Sequence, residues 1–183
     1  MTSFPEKTVA SREHMAILEK GVEEWNAWRR EKPSLVPDLS GVSFARANLC
    51  GVDFHEANLH WAYFREADLC GANLCGANLR GVDFSKASLS KADLRHTKLC
   101  AAALIGTNLS KADLSGADLS RAHLAGVKFH GANLVETNLL STRDLSSEQL
   151  SEVKTLYGSK LDEGLMKQTQ LKYPHLLAKP GSG

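Results

Sequence analysis

From Asp38 to Leu140 an apolar residue recurs at every fifth position. The series is Leu39, Phe44, Leu49, Phe54, Leu59, Phe64, Leu69, Leu74, Leu79, Phe84, Leu89, Leu94, Leu99, Leu104, Leu109, Leu114, Leu119, Leu124, Phe129, Leu134 and Leu139. Two residues before each centre stands a small or β-branched residue, such as Ala47, Val52, Ala57, Ala62, Thr97 or Thr137, with Pro37 the one departure. The unit reads A-[N/D]-L-x-x, and such self-similarity is the mark of a repeat architecture. A period of five fits neither regular element. On a straight helix five residues advance about 500°, so the centres would spiral round the cylinder. In a flat strand, residues five apart face opposite sides, and alternate centres would lie in water. Both failures vanish if the chain turns a corner inside every unit. The centre and the residue two before it then face inward, and the two residues after the centre form the bend. Gly51, Gly71, Gly76, Gly81, Gly106, Gly116, Gly126 and Gly131 fall at the second bend position, where a positive φ is often needed. The sequence therefore predicts a polygonal coil.

Units such as Ala47-Asn48-Leu49-Cys50-Gly51, Ala67-Asp68-Leu69-Cys70-Gly71 and Ala112-Asp113-Leu114-Ser115-Gly116 resemble those of the pentapeptide-repeat family, over twenty-one consecutive units. The resemblance implies an all-β solenoid: a right-handed quadrilateral parallel β-helix with four units per coil and short α-helical caps at both ends. The hand agrees with the general preference of parallel crossovers. Residues 38–141 would make about five coils, a peg roughly 25 Å long at about 4.8 Å per coil.

The flanks read as helix. In residues 1–37, Met15, Leu18, Val22 and Trp25 recur at helical spacing from a start at Thr8 or Ser11, and the helix must stop before Pro33. Its favoured role is to cover the open first coil, since an uncapped solenoid end exposes apolar side chains and unpaired edges. The rival is a partner-binding helix displaying Trp25 and Trp28. In residues 142–176 the repeat fails at Asp144, and Ser146 with Gln149 forms a capping box beside a Leu145–Leu150 staple. A stripe of Leu150, Val153 and Leu156 predicts a helix as far as Gly158, and a second over Asp162 to Lys172 offers Leu165, Met166 and Leu171. Residues 177–183 read as a flexible tail.

Charge narrows the function. The 183-residue chain has a formal net charge of +1, which argues against wholesale nucleic-acid binding. No apolar run is long enough to span a membrane and Met1 to Ala10 lacks a signal-peptide core, so a bacterial, cytoplasmic protein is expected. Taking every fourth unit, one side gathers Asp53, Glu56, Asp93, Asp113 and Glu136 against Arg95. A neighbouring side carries Lys91, Lys111 and Lys128 against Asp68. The Asp and Asn residues before the centres have first a structural reading, as hydrogen-bonding residues at the bends and along the ladder. Trp61 and Tyr63 interrupt the usual polar corner, with Gly41 and Gly81 as coil neighbours of Trp61. They are either an exposed hot spot or covered by the N-terminal segment. Ile105 is a second apolar residue at an outward position.

All four cysteines, Cys50, Cys70, Cys75 and Cys100, directly follow a centre. Cys50 and Cys70 would neighbour each other on adjacent coils, but parallel Cβ vectors make a disulfide awkward, and free thiols are expected. No metal or cofactor site and no catalytic constellation is expected, because the spacings of metal ligands, nucleophile elbows and phosphate loops are missing. The predicted function is a non-catalytic scaffold for protein–protein interaction. The alternative, taken from the family, is a DNA mimic that binds DNA gyrase or topoisomerase, as quinolone-resistance members do. Ten acids and ten bases between Asp38 and Leu140 weigh against it. The expected partner is another protein, with no direct nucleic-acid binding and no membrane span. The chain is expected as a monomer, or as a dimer through the C-terminal helix.

Overall fold

The computed structural model describes residues 10–181. Parallel bridges join each residue before a centre to the one twenty positions on, from Asp38 with Asn58 and Ser43 with Tyr63 to His123 with Arg143. Each coil therefore contains four units and has four sides, which take the names of their first centres: Leu39, Phe44, Leu49 and Phe54.

The five-residue rule works because it gives every backbone N–H of a unit a partner. In the unit around Leu69, the Asp68 N–H donates to Ala47 of the preceding coil at 2.9 Å. The Leu69 and Gly71 N–H groups donate to Ser88 and Ser90 of the following coil at 2.8 and 2.9 Å. The Ala72 N–H closes the bend onto the Leu69 carbonyl at 3.0 Å. The remaining donor, Cys70 N–H, meets the Asp68 carboxylate at 3.0 Å. That last bond is why Asp or Asn precedes so many centres: only a short side chain carrying an oxygen acceptor reaches two residues on. Asn adds a donor along the ladder, as in Asn73 Nδ2 to Asp53 at 2.9 Å and Asn138 Nδ2 to Asp118 at 2.9 Å. The structural reading of these residues holds.

Inside, the leucine and phenylalanine centres and, from Ala57 on, the alanines two before them are buried, with Ala47 of the first coil partly so. Phe44, Phe64 and Phe84 stack through three successive coils, with ring centroids 4.9 and 5.0 Å apart. The threonines that replace alanine keep their hydroxyls bonded, Thr107 to the Phe84 carbonyl at 2.8 Å and Thr137 to that of Leu114 at 2.9 Å. At the bends, the second position has φ between 56° and 69° in every unit, whether it is glycine or not.

The N-terminal cap differs from the single helix expected. It is two helices, α1 (Arg12–Leu18) and α2 (Val22–Glu31), separated at Gly21 with φ 120°. Apolar spacing runs unbroken across this glycine, so periodicity could not reveal the turn. Ser11 caps α1, accepting the His14 N–H at 3.4 Å, whereas Thr8 lies outside the described residues. The helices replace the coil that the first turn lacks. His14 Nδ1 accepts the Asp38 N–H at 3.0 Å, and Asn26 Oδ1 accepts the Asp53 N–H at 2.8 Å. Trp25 Nε1 donates to the Asp53 carbonyl at 2.7 Å, and its ring meets Phe54 edge-on at 5.6 Å. Trp25 has no exposed surface, which removes it from the reading in which it is displayed to a partner.

At the other end, the capping box of Ser146 and Gln149 forms as expected and starts α3 (Ser147–Leu150). The helix expected to continue to Gly158 is a single turn. The chain instead rejoins the coil, with Thr155 bridging Asn133 and Lys160 bridging Asn138. Leu156 and Leu161 are buried, and Gly158 takes a bend conformation with φ 72°. Leu156 is thus a repeat centre that sequence reading assigned to a helix stripe. Its offset from Leu134 is twenty-two residues rather than twenty, because α3 takes the place of the Leu49 side in this last coil. The coil expected to end at residue 141 therefore continues to Leu161. Next come α4 (Glu163–Lys172) and a 3-10 turn (Pro174–Leu177), where the Leu176 carbonyl accepts the Leu156 N–H at 2.7 Å. Lys172 reaches back to Glu148 at 2.6 Å and holds its carboxyl down to about 2. Leu171, expected to help cap, is 84% exposed, while Leu165 and Met166 pack inward.

Candidate interaction surface

The interior is filled, so whatever the molecule recognises must meet the outward positions: the residue before each centre and the two bend residues. The Phe54 side does gather the predicted acids, through the bridged series Asp53, Asn73, Asp93, Asp113 and Asn133. Each of the three aspartates already has an oxygen tied into the frame. Asp53 accepts from the His55 ring at 2.8 Å and from Asn73, and its backbone is held by Trp25 and Asn26 of the cap. Arg95 grips Asp93 at 2.9 and 2.6 Å, which lowers the Asp93 pKa. Asp113 accepts from the Ser115 hydroxyl at 2.6 Å and from Asn133 at 3.0 Å. Glu56 and Glu136 remain exposed at bends of the second position. Near Glu56, Arg29 of α2 is buried; desolvation lowers its pKa, opposed by Asp53 and Glu56. The side is a structural ladder with a few exposed carboxylates, and an even row of free negative charge does not form.

The cysteines are free. Cys70 Sγ accepts the Ser90 hydroxyl at 3.3 Å, and desolvation raises the pKa of both Cys50 and Cys75, aided at Cys50 by Asp68. Thiols shifted in this direction stay protonated and unreactive at neutral pH.

The aromatic pair is open. Trp61 is 57% and Tyr63 50% exposed, and no described residue of the N-terminal segment buries them. Trp61 holds φ 56°, a region that a bulky side chain rarely enters. Its ring lies flat against the next coil, with ring atoms 2.8 to 2.9 Å from where a Cβ on Gly81 would stand. The bare backbone of Gly81 is what makes room for the indole. Gly81→Ala is therefore expected to destabilise the chain by about 1–2 kcal/mol through its φ of +64° and to push the indole outward. A denaturant titration and a red shift of tryptophan emission check this, and in a Trp61→Gly background the emission shift should disappear. Ile105 is also outward, 39% exposed on the Phe44 side. A recess of about 320 Å³ at the C-terminal end is lined, among the described residues, by Lys154, Thr155, His175 and others with no carboxylate. Among the described residues no helix is long and apolar enough to cross a membrane.

Comparison with known proteins agrees with this architecture. A family model described as pentapeptide repeats matches residues 38–69, 62–99 and 102–139. Among solved structures, the chain is similar to a pentapeptide repeat protein of the Arabidopsis thaliana thylakoid lumen. The two are 32% identical over 55% of this chain and 66% of that one, with a TM-score of 0.43. It is similar to Rfr23, a pentapeptide repeat protein of the cyanobacterium Cyanothece 51142, at 26% identity over 75% of this chain and 97% of that one, TM-score 0.32. QnrB1, a plasmid-mediated fluoroquinolone resistance protein, is 24% identical over 72% of each chain, TM-score 0.42. These scores carry no functional argument. No curated protein matches the chain. Because the family model spans more than half of the residues, in register with the buried centres, the chain belongs to the pentapeptide-repeat family.

Proposed function

We propose that the chain is a non-catalytic scaffold, wound right-handed and closed at both ends by its helices, that binds another protein through its outward side chains. One observation carries this reading. The interior is packed with leucine, phenylalanine and alanine, while the hydrogen-bonded frame fixes each outward position on a regular grid. A filled interior leaves no enclosed site of the kind enzymes use, and a rigid grid lets side chains meet a macromolecule with little loss of conformational entropy. The carboxylates of the Phe54 side are mostly committed to the frame, so gyrase binding by imitation of DNA gains no support from them.

The test is capture of proteins from a host extract on the immobilised full chain, followed by purification of any retained protein and titration against the free chain. A saturable complex that reforms from the two purified components supports the scaffold. Failure of every retained protein to rebind after purification would refute it.

A further inference from the structure

Four of the large exposed apolar residues, Trp61, Tyr63, Ile105 and Leu140, lie on the Phe44 side or on the corner that leads into it. That corner is formed by the bend residues of the Leu39 side. Successive coils place there His60 and Trp61, Arg80 and Gly81, Cys100 and Ala101, Ser120 and Arg121, then Leu140 and Ser141. Backbone bonds from Trp61 to Arg80 at 3.0 Å and from Arg121 to Leu140 at 3.0 Å show that the coils are in direct contact along it. From His60 to Ser141 the bend residues of this corner include no Asp or Glu, and the exposed Asp162 that closes its C-terminal end accepts the Ser141 N–H at 3.0 Å, while Arg80 and Arg121 are exposed and have no ion-pair partner among the described residues. The flanking acids are occupied: Asp83 accepts the Ser85 N–H at 2.8 Å, and Asp118 accepts from Ser120 and Asn138. Across the Phe44 side, exposed Arg65 and Lys86 add positive charge, with Glu66 held by Arg46 at 3.0 Å.

Trp61 shares its positive φ with Ala101, Arg121 and Ser141 on this corner and is the aromatic residue among them. The equivalent positions one coil before and after it are glycine, Gly41 and Gly81. A tryptophan held at positive φ, mostly exposed and laid over bare backbone, contributes little that glycine would not contribute to folding. The result is a pre-oriented aromatic anchor with one unpaired guanidinium, Arg80, on the next coil and a second, Arg121, three coils on, the residue types that dominate binding hot spots.

We propose that this corner is the docking site for an extended acidic segment of a partner protein, in which an apolar side chain packs on Trp61 and carboxylates pair with Arg80 and Arg121. The proposal rests on the scaffold reading and gives it a face and a partner chemistry. From Trp61 to Leu140 the corner crosses four coil spacings, about 19 Å, which is the span of roughly six extended residues. Charge complementarity selects the occupant: from Trp61 to Arg121 the strip is basic and aromatic with no acid among its bend residues, so it attracts carboxylates and repels a basic peptide.

The test pans a random peptide display library on the full chain and measures the enriched peptides against Trp61→Gly, Arg80→Glu with Arg121→Glu, and Glu56→Gln with Glu136→Gln. Thermal unfolding should show Trp61→Gly folded and no less stable, since the substitution removes a strained φ. The expected result is enrichment of Asp- and Glu-rich peptides containing an aromatic or leucine residue. Their affinity should fall by about tenfold or more in the first two variants and stay unchanged in the third, tenfold being about 1.4 kcal/mol. Peptides that bind Trp61→Gly as tightly as the parent, or that depend on Glu56 and Glu136, would overturn this face while leaving the scaffold standing. Absence of any enriched peptide would overturn the segment proposal, with partner capture still deciding the scaffold separately. Trp61-dependent binding of an oligothymidine probe would overturn it in favour of a nucleic-acid ligand.

Discussion

Trp25→Ala is expected to destabilise the chain by about 3–5 kcal/mol, the usual cost of removing a large buried aromatic, and to make it self-associate. Trp25 is wholly buried between α2 and the first coil, where it touches Phe54 edge-on and Trp28 at 4.9 Å. Its indole N–H also satisfies the Asp53 carbonyl, which no earlier coil can reach. The variant loses apolar contact and leaves a polar edge group unpaired in one step. In a stacked solenoid, terminal units protect the interior from end-on pairing. The exposed end would then present Phe44, Phe54 and an open ladder edge. Urea unfolding measures the first effect, and light scattering on a sizing column the second. A monomeric variant with nearly unchanged stability would mean that α1 and α2 are ornaments on a coil that closes itself.

Phe64→Ala is expected to cost about 3–5 kcal/mol as well, for a different reason. Phe64 stands between Phe44 and Phe84, so its removal breaks both stacked contacts and leaves a void that a rigid, bridged frame cannot close. Coils communicate chiefly with their neighbours, so hydrogen exchange should accelerate in the first three coils more than around Leu119 or Leu134. A loss below about 1 kcal/mol, within the range of ordinary surface substitutions, would show that the interior is loosely packed and that the frame alone holds the coil.

Much of this fold was legible in the chain because one local rule repeats. Leu69 must face inward, Ala67 must be small beside it, Asp68 must accept a bend N–H, and Gly71 or its equivalent must take a positive φ; each requirement leaves a mark at a fixed position. The ends were legible only in part because they are made once. Gly21 interrupts a helical pattern without altering its apolar spacing. Leu156 and Leu161 rejoin the coil after α3 shifts the register by two residues, and that shift disguises them as helix positions. The acidic side was correctly gathered by the register, and the structural reading of its aspartates held: Asp53, Asp93 and Asp113 bond to His55, Arg95 and Ser115 two residues on, and Asp53 and Asp113 also to Asn73 and Asn133 on the next coil. Whether Trp61 was open or covered depended on where α1 and α2 lie, and these helices settle over Asp38, Gly51 and Asp53 instead of the Trp61 corner.

One tryptophan closes the end of the peg, and another is left open on its corner, where we propose that a partner docks. Hydroxyl-radical footprinting of the intact chain, read by mass spectrometry at each tryptophan, tests both halves in one measurement. The account predicts oxidation of Trp61 at least an order of magnitude faster than that of Trp25. Equal protection of the two would contradict it, because the N-terminal segment would then cover the corner assigned to binding.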